Sequence, residues 1–183
     1  MLSRIYWMVT AIVLAIVVHV SYVVIAPTFV LERSIVKTRG ESGPNKFYVL
    51  PVEDQQALFP SFPRNSVFGL CSFDVSKSGV ELSANMPDTF WTLTVYSHSG
   101  DVIYALNNMQ SGTNAFTVSL TRAPGLLEML TRVAPENPKD FTGWNVSTAD
   151  ATGIAVMWVP LREPAQRRAI THTIESSSCK GAA

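Results

Sequence analysis

Residues 90–106, FWTLTVYSHSGDVIYAL, decide the fold. Trp91, Leu93 and Val95 alternate with threonines, so one side of an extended chain is apolar and the other polar. Ser97-His98-Ser99-Gly100-Asp101 concentrates turn formers. Val102-Ile103-Tyr104-Ala105-Leu106 then has the β-branched and aromatic make-up of a second strand. A β-hairpin is predicted, and with it a sheet whose inner face is apolar.

The same period of two extends outward in both directions. Val67, Gly69, Cys71, Phe73 and Val75 share one side, and Val80, Leu82, Ala84 and Met86 repeat the pattern after Ser78-Gly79. Past a polar loop, Asn107 to Asn114, the stretch Ala115 to Leu120 alternates through Phe116, Val118 and Leu120. Residues 153–159, GIAVMWV, are apolar on both sides, as in a central strand covered twice. Two segments break the period. Gly125 to Val133 places Leu126, Leu127, Met129, Leu130 and Val133 at helical spacing, predicting a short amphipathic helix. Pro164 opens a C-terminal helix to about Ser176, with Ala169, Ile170, Thr173 and Ile174 on one face and Glu163 within pairing distance of Arg167. The sum over residues 67–183 is a mainly antiparallel β domain, a sandwich or partial barrel with a short helix and a C-terminal helix.

Residues 32–66 read as a stalk and lead-in. ERSIVKTRGESGPNK mixes both charge signs with Gly40, Gly43 and Pro44, and VEDQQALF predicts a short helix before Pro60 and Pro63. Residues 1–31 differ from everything after them, because Arg4 is their one charged residue. The run 5–26, IYWMVTAIVLAIVVHVSYVVIA, has no Gly or Pro, and as a helix of about 33 Å it would cross a bilayer core of roughly 30 Å. Pro27 is expected to end it. A cleaved signal peptide is the rival reading. It is opposed by an apolar core longer than the usual 7–15 or so residues and by the poor exit Ala26-Pro27. An uncleaved transmembrane signal anchor is therefore expected, with the lipid bilayer as partner of residues 5–26. His19 within it lacks a second intramembrane charge for a relay.

The chain balances 14 Lys and Arg against 14 Asp and Glu, so no basic field exists to hold nucleic acid, which is excluded as a partner. Topology draws two opposing votes. Arg33, Lys37, Arg39 and Lys46 follow the span while Arg4 precedes it, which by flank charge would keep the domain in the cytoplasm. Cys71 and Cys179 vote the other way if they are bonded, because a disulfide requires an oxidising compartment. Such a bond would tie the C-terminal helix to the sheet; the alternative is two unrelated thiols.

Residue chemistry names no reaction. There is no Cys-x-x-Cys or zinc spacing, no Gly-x-Ser-x-Gly elbow and no phosphate-binding glycine loop, so no metal, cofactor or catalytic residue is assigned. Tyr96, His98, Tyr104, Asn107 and Asn108 stand out as ligand- or partner-binding candidates around the hairpin, although turn and edge chemistry explains the asparagines equally well. Phe90, Trp91, Tyr96, Tyr104, Trp144 and Trp158 would line an apolar cavity or simply fill a core. The alternative from a different class is an envelope hydrolase or isomerase with a site built from Asp74, His98, Asp101 and Asn107, which convergence in one cleft would support.

Cys71-Ser-Phe73-Asp74, Phe90-Trp91-Thr-Leu-Thr-Val-Tyr96, Gly100, Tyr104, Asn107 and a final helix ending in Cys179 together resemble the bacterial family known as domain of unknown function 1254. The likeness is to its short, single-pass membrane branch in proteobacteria. Ser97 and Asn108 depart from the pattern, where an Asx residue and an Asp respectively would be usual. The resemblance implies no reaction. It does imply a partner, because longer relatives join this domain to domain of unknown function 1214, which a short form would find on a separate membrane protein. The expectation is an inner-membrane protein with a periplasmic β-rich module that binds a partner protein or an apolar envelope ligand.

Overall fold

The computed structural model describes residues 2–125 and 143–182. It begins with one long helix, α1 (Leu2–Ser42), and continues as two packed sheets. Residues 3–25 of α1 are long and apolar enough to cross a membrane and none of that stretch is buried against the rest of the chain. Pro27 does not end the helix, and the residues expected as an irregular stalk are helical as far as Ser42. The reason is local: a proline inside a helix removes one hydrogen bond, here to the Val23 carbonyl, and the turns on either side continue it. Termination comes instead at Gly43, whose φ of 77° gives the left-handed cap that glycine adopts without penalty.

After Gly43-Pro44 the chain is pinned to the sheet. Asn45 donates its backbone N–H to the Ser72 carbonyl at 2.8 Å, and its side-chain oxygen accepts the Asp74 N–H at 3.0 Å. Strand β1 (Phe47–Val49) and helix α2 (Val52–Leu58) follow. Then come β2 (Ser66–Asp74), β3 (Val80–Asn85), β4 (Thr92–Ser97), β5 (Val102–Asn107), the one-turn helix α3 (Asn108–Ser111) and β6 (Ala115–Arg122). The chain closes with β7 (Trp144–Thr148), β8 (Thr152–Pro160), a 3-10 turn (Pro164–Gln166), helix α4 (Arg167–Ser176) and β9 (Ser178–Gly181). The helix expected from Gly125 to Val133 falls outside the described residues, Gly125 apart.

The five-stranded sheet has the order β1-β2-β8-β4-β5 and is antiparallel throughout; the four-stranded sheet has the order β7-β6-β3-β9, with β6 and β7 parallel. The architecture is a β-sandwich, and the described strands form no closed barrel. Strands β1, β7 and β9 were not read from the sequence. Alternation placed Val67, Cys71, Phe73, Trp91, Leu93 and Val95 correctly: all face the four-stranded sheet and meet Val80, Leu82, Phe116, Val118 and Leu120 in one core. β8 is the central strand its sequence predicts, with Ala155, Met157 and Val159 inward and Ile154 and Val156 in a second cluster on the outer face.

Two devices close the side of the sandwich. Helix α4 drives Ile170 and Ile174 into the core, and Gly69 makes the approach possible because a Cβ there would collide with the Ile174 side chain. The Glu163–Arg167 pairing gives way to separate roles. The Arg167 guanidinium donates to the Ser66 carbonyl at 2.9 Å and the Arg64 carbonyl at 3.3 Å, while the Glu163 backbone opens the 3-10 turn, its N–H donating to the Gln166 side-chain oxygen at 3.3 Å and its carbonyl accepting the Gln166 N–H at 3.1 Å. The second device is the disulfide between Cys71 in β2 and Cys179 in β9, with Cα atoms 6.6 Å apart and a sequence separation of 108. It joins sheet to sheet, because the segment after α4 turns back as a strand paired with β3, Cys179 opposite Leu82.

Candidate functional site

The hairpin β4–β5 sits at the edge of the five-stranded sheet, and strand direction sorts the candidate residues to its two ends. At the turn end, Ser97 accepts the Gly100 N–H on its carbonyl and donates its own N–H to the Asp101 carbonyl at 2.9 Å, closing a loop that Gly100 completes with φ of 95°. The hydroxyls continue the network. The Ser97 Oγ accepts the Asp101 N–H at 3.1 Å and lies 2.7 Å from the Ser99 Oγ. Ser99 lies 2.9 Å from Asp101 Oδ2 and 3.2 Å from Asp150 Oδ2. The Ser99 hydroxyl, with one proton to donate, thus lies within reach of two carboxylate oxygens. His98 points out of this turn into solvent.

Asp74 lies at the same end of the sheet, paired in register with Thr152, but serves its own turn by accepting the Ser76 N–H at 3.0 Å. Asn107 is at the opposite end of β5, about 17 Å from the turn by strand rise. There it is an N-cap: its side-chain oxygen accepts the N–H groups of Met109 at 3.0 Å and Gln110 at 2.9 Å, and Gln110 returns the bond to its backbone. The four residues of the hydrolase or isomerase reading therefore do not meet. Among the described residues no three His, Cys, Asp or Glu side chains come together as metal ligands.

Tyr96 and Tyr104 also part. Tyr104 lies opposite Val95 and packs against the core between the sheets, while Tyr96, after a register shift at Val95/Tyr96, packs with the outer cluster of Phe68 and Ile154. Desolvation by burial pushes the Tyr104 phenol above its ordinary range, so it stays a hydrogen-bond donor. Asn108 donates its N–H to the Trp91 carbonyl at 3.3 Å, and its side-chain oxygen is buried without a partner.

The aromatics expected to share one cavity are divided by the sheet. Trp91 is fully buried in the core, its ring 5.0 Å from Phe116, and Trp144 packs against that core. Phe90 and Trp158 lie on the outer face, where sequence reasoning missed their neighbours. Phe59 stacks on Phe68 at 4.7 Å, Phe62 meets both Phe68 and Trp158 edge-on at 5.3 Å, and Phe90 meets Trp158 edge-on at 6.0 Å. The row ends in partly uncovered rings, Phe62 at 42% and Phe90 at 37% exposure. Its signal was present in Phe59-Pro60-Ser61-Phe62-Pro63, aromatic residues within a segment read as a linker. Folding back over the sheet makes that segment part of the β unit.

No family model matches the chain, and no curated protein matches it. Two solved structures are similar to the chain. The VPA0106 protein from Vibrio parahaemolyticus matches with a TM-score of 0.56 at 11% identity, over 85% of this chain and 37% of its own. An uncharacterised protein from Burkholderia cenocepacia matches with a TM-score of 0.47 at 11% identity, over 68% of this chain and 33% of its own. The present chain thus spans about a third of the length of each. What the likeness to the Vibrio protein carries is the fold alone.

Proposed function

We propose that this chain is a single-pass inner-membrane protein whose β domain stands in the periplasm and binds a partner protein through the outer face of its five-stranded sheet. The observation that carries the reading is the aromatic row Phe62–Trp158–Phe90, an apolar surface that α2 and the following loop only partly cover. The compartment rests on the disulfide: Cys71 and Cys179 are 0% and 3% exposed, and so large a loop closed by a buried bond belongs in an oxidising space. A protein partner is preferred to an apolar envelope ligand because Trp91, Phe73, Leu93 and Met157 fill the space between the sheets. The resemblance to the short branch of domain of unknown function 1254 names a candidate, a separate membrane protein carrying domain of unknown function 1214.

A photo-crosslinking residue at Phe62 or Phe90, in the full chain in native membranes, tests this. A defined adduct at both positions, with none from Ser83 on the opposite sheet, is expected. Equal or absent labelling at all three would defeat the reading. Thiol labelling of intact cells with an impermeant reagent tests the compartment separately; reactivity that appears only after reduction places the domain outside, and reactivity only after lysis places it in the cytoplasm.

A further inference from the structure

A cleft of about 560 Å³ opens at the end of the sandwich where α1 joins, within the range of roughly 300–1,000 Å³ typical of small-molecule sites. It is lined by Ser76, Lys77 and Ser78 from the β2–β3 turn, by Arg122 and the residues after it, and by Ala149. The walls are fixed by backbone. Val75 donates to the Ala151 carbonyl at 2.8 Å, Ala123 to the Thr148 carbonyl at 2.8 Å, and Ala182 to the Gly79 carbonyl at 2.6 Å. Gly79 brings the turn close to β6, since a Cβ there would lie 3.1 Å from the Leu120 carbonyl oxygen. Lys77 and Arg122 are both exposed, with no carboxylate paired to either among the described residues. The two nearby acids are turned elsewhere, Asp74 to the Ser76 N–H and Asp150 to the Ser99 hydroxyl.

From this we infer that the cleft is a binding site for a phosphate group carried by a small molecule. A planar guanidinium, a mobile ammonium and two hydroxyl donors on one concave surface match the charge and the several acceptor oxygens of a phosphate. The site is independent of the aromatic row, which lies at the other end of the sheet.

The test is ³¹P NMR or calorimetric titration of inorganic phosphate into the full chain in nanodiscs of zwitterionic lipid. Saturable binding is expected, lost about tenfold or more in Lys77→Gln and in Arg122→Gln, since each removes a charge-assisted contact. Arg162→Gln, at the far end of the molecule, should bind like the wild type. Absence of saturation, or equal weakening by Arg162→Gln, overturns the inference. Repeating the titration in anionic nanodiscs separates the two sources of the phosphate. With the cleft held off the bilayer by the end of α1, binding is expected to persist and assigns a free phosphorylated molecule; binding competed away by the anionic lipid overturns that assignment.

Discussion

The two sheets of the sandwich are finished differently. The four-stranded sheet is apolar on one face only: Leu82, Val118 and Val146 point inward while Glu81, Ser83, Ser119, Asn145 and Ser147 face out. The five-stranded sheet is apolar on both, with Phe68, Leu70, Ile154 and Val156 forming a second buried cluster behind the main core. A sheet of the first kind is complete when its inner face is covered. One of the second kind needs a further layer, and α2 with Phe59 and Phe62 supplies only part of it. The asymmetry marks which side of the molecule is built for contact.

The largest perturbation should come from uncoupling the sheets. Cys179→Ser removes a bond that closes a separation of 108 residues, and the chain-entropy model puts the loss at about 4–5 kcal/mol. Denaturant unfolding of the full chain in detergent, followed by tryptophan fluorescence, measures it. A loss below about 1 kcal/mol would mean the sheets hold together without the bond.

Next in size is a pair of adjacent aromatic residues on opposite faces. Trp91→Ala empties a fully buried site and should cost about 3–5 kcal/mol, whereas Phe90→Ala, at a position 37% exposed, should cost well under half of that. Similar costs measured in the same unfolding assay would erase the distinction between core and contact face. Gly69→Ala probes the seam where α4 meets the sheet, and the collision with Ile174 should cost about 1–3 kcal/mol. In an Ile174→Ala background, which lacks the colliding Cγ2 methyl, Gly69→Ala should cost less in a double-mutant cycle; strict additivity would show that the two residues do not touch.

The smallest effect is electrostatic. The Tyr104 phenol has its folded-state pKa raised by burial, so its stabilising contribution is intact below its ordinary value of about 10 and disappears as pH rises through the folded value. Stability should therefore fall as pH rises above about 10 in the wild type and fall less in Tyr104→Phe. Identical slopes would place that phenol in solvent.

The difference between the sheets also explains what was legible in the sequence. Period-two alternation is strong where one face is buried and the other wet, and β3, β4 and β6 are found that way; β8 is found because it is apolar throughout, and β2 is legible through Val67, Cys71 and Phe73 although both its faces are buried. β1 and β9 are three and four residues long, too short for a period, and β9 reads Ser-Cys-Lys-Gly with little strand composition. β7 did carry a signal, since Trp144, Val146 and Thr148 alternate inward, but it is one residue too few to stand out between loops. The site was less legible. The turn at Ser97–Asp101 and the importance of Asn107 were visible locally, yet the role of Asn107 as a helix cap depends on Gln110, and the outer aromatic row is assembled from residues 59, 62, 68, 90 and 158. Contacts at such separations leave no period to read.

Helix α1 bears on all of this through its stiffness. Its 41 residues measure about 61 Å, of which a bilayer core takes roughly 30 Å. Since Gly43 ends the helix only two residues before Asn45 is clamped to β2, little slack separates rod from sandwich. A loose leash would let the β domain drift and tumble over its anchor point. In the single-pass reading proposed above, the part of the helix from Ala26 to Ser42 measures about 25 Å and sets the level at which a partner must present its own binding surface.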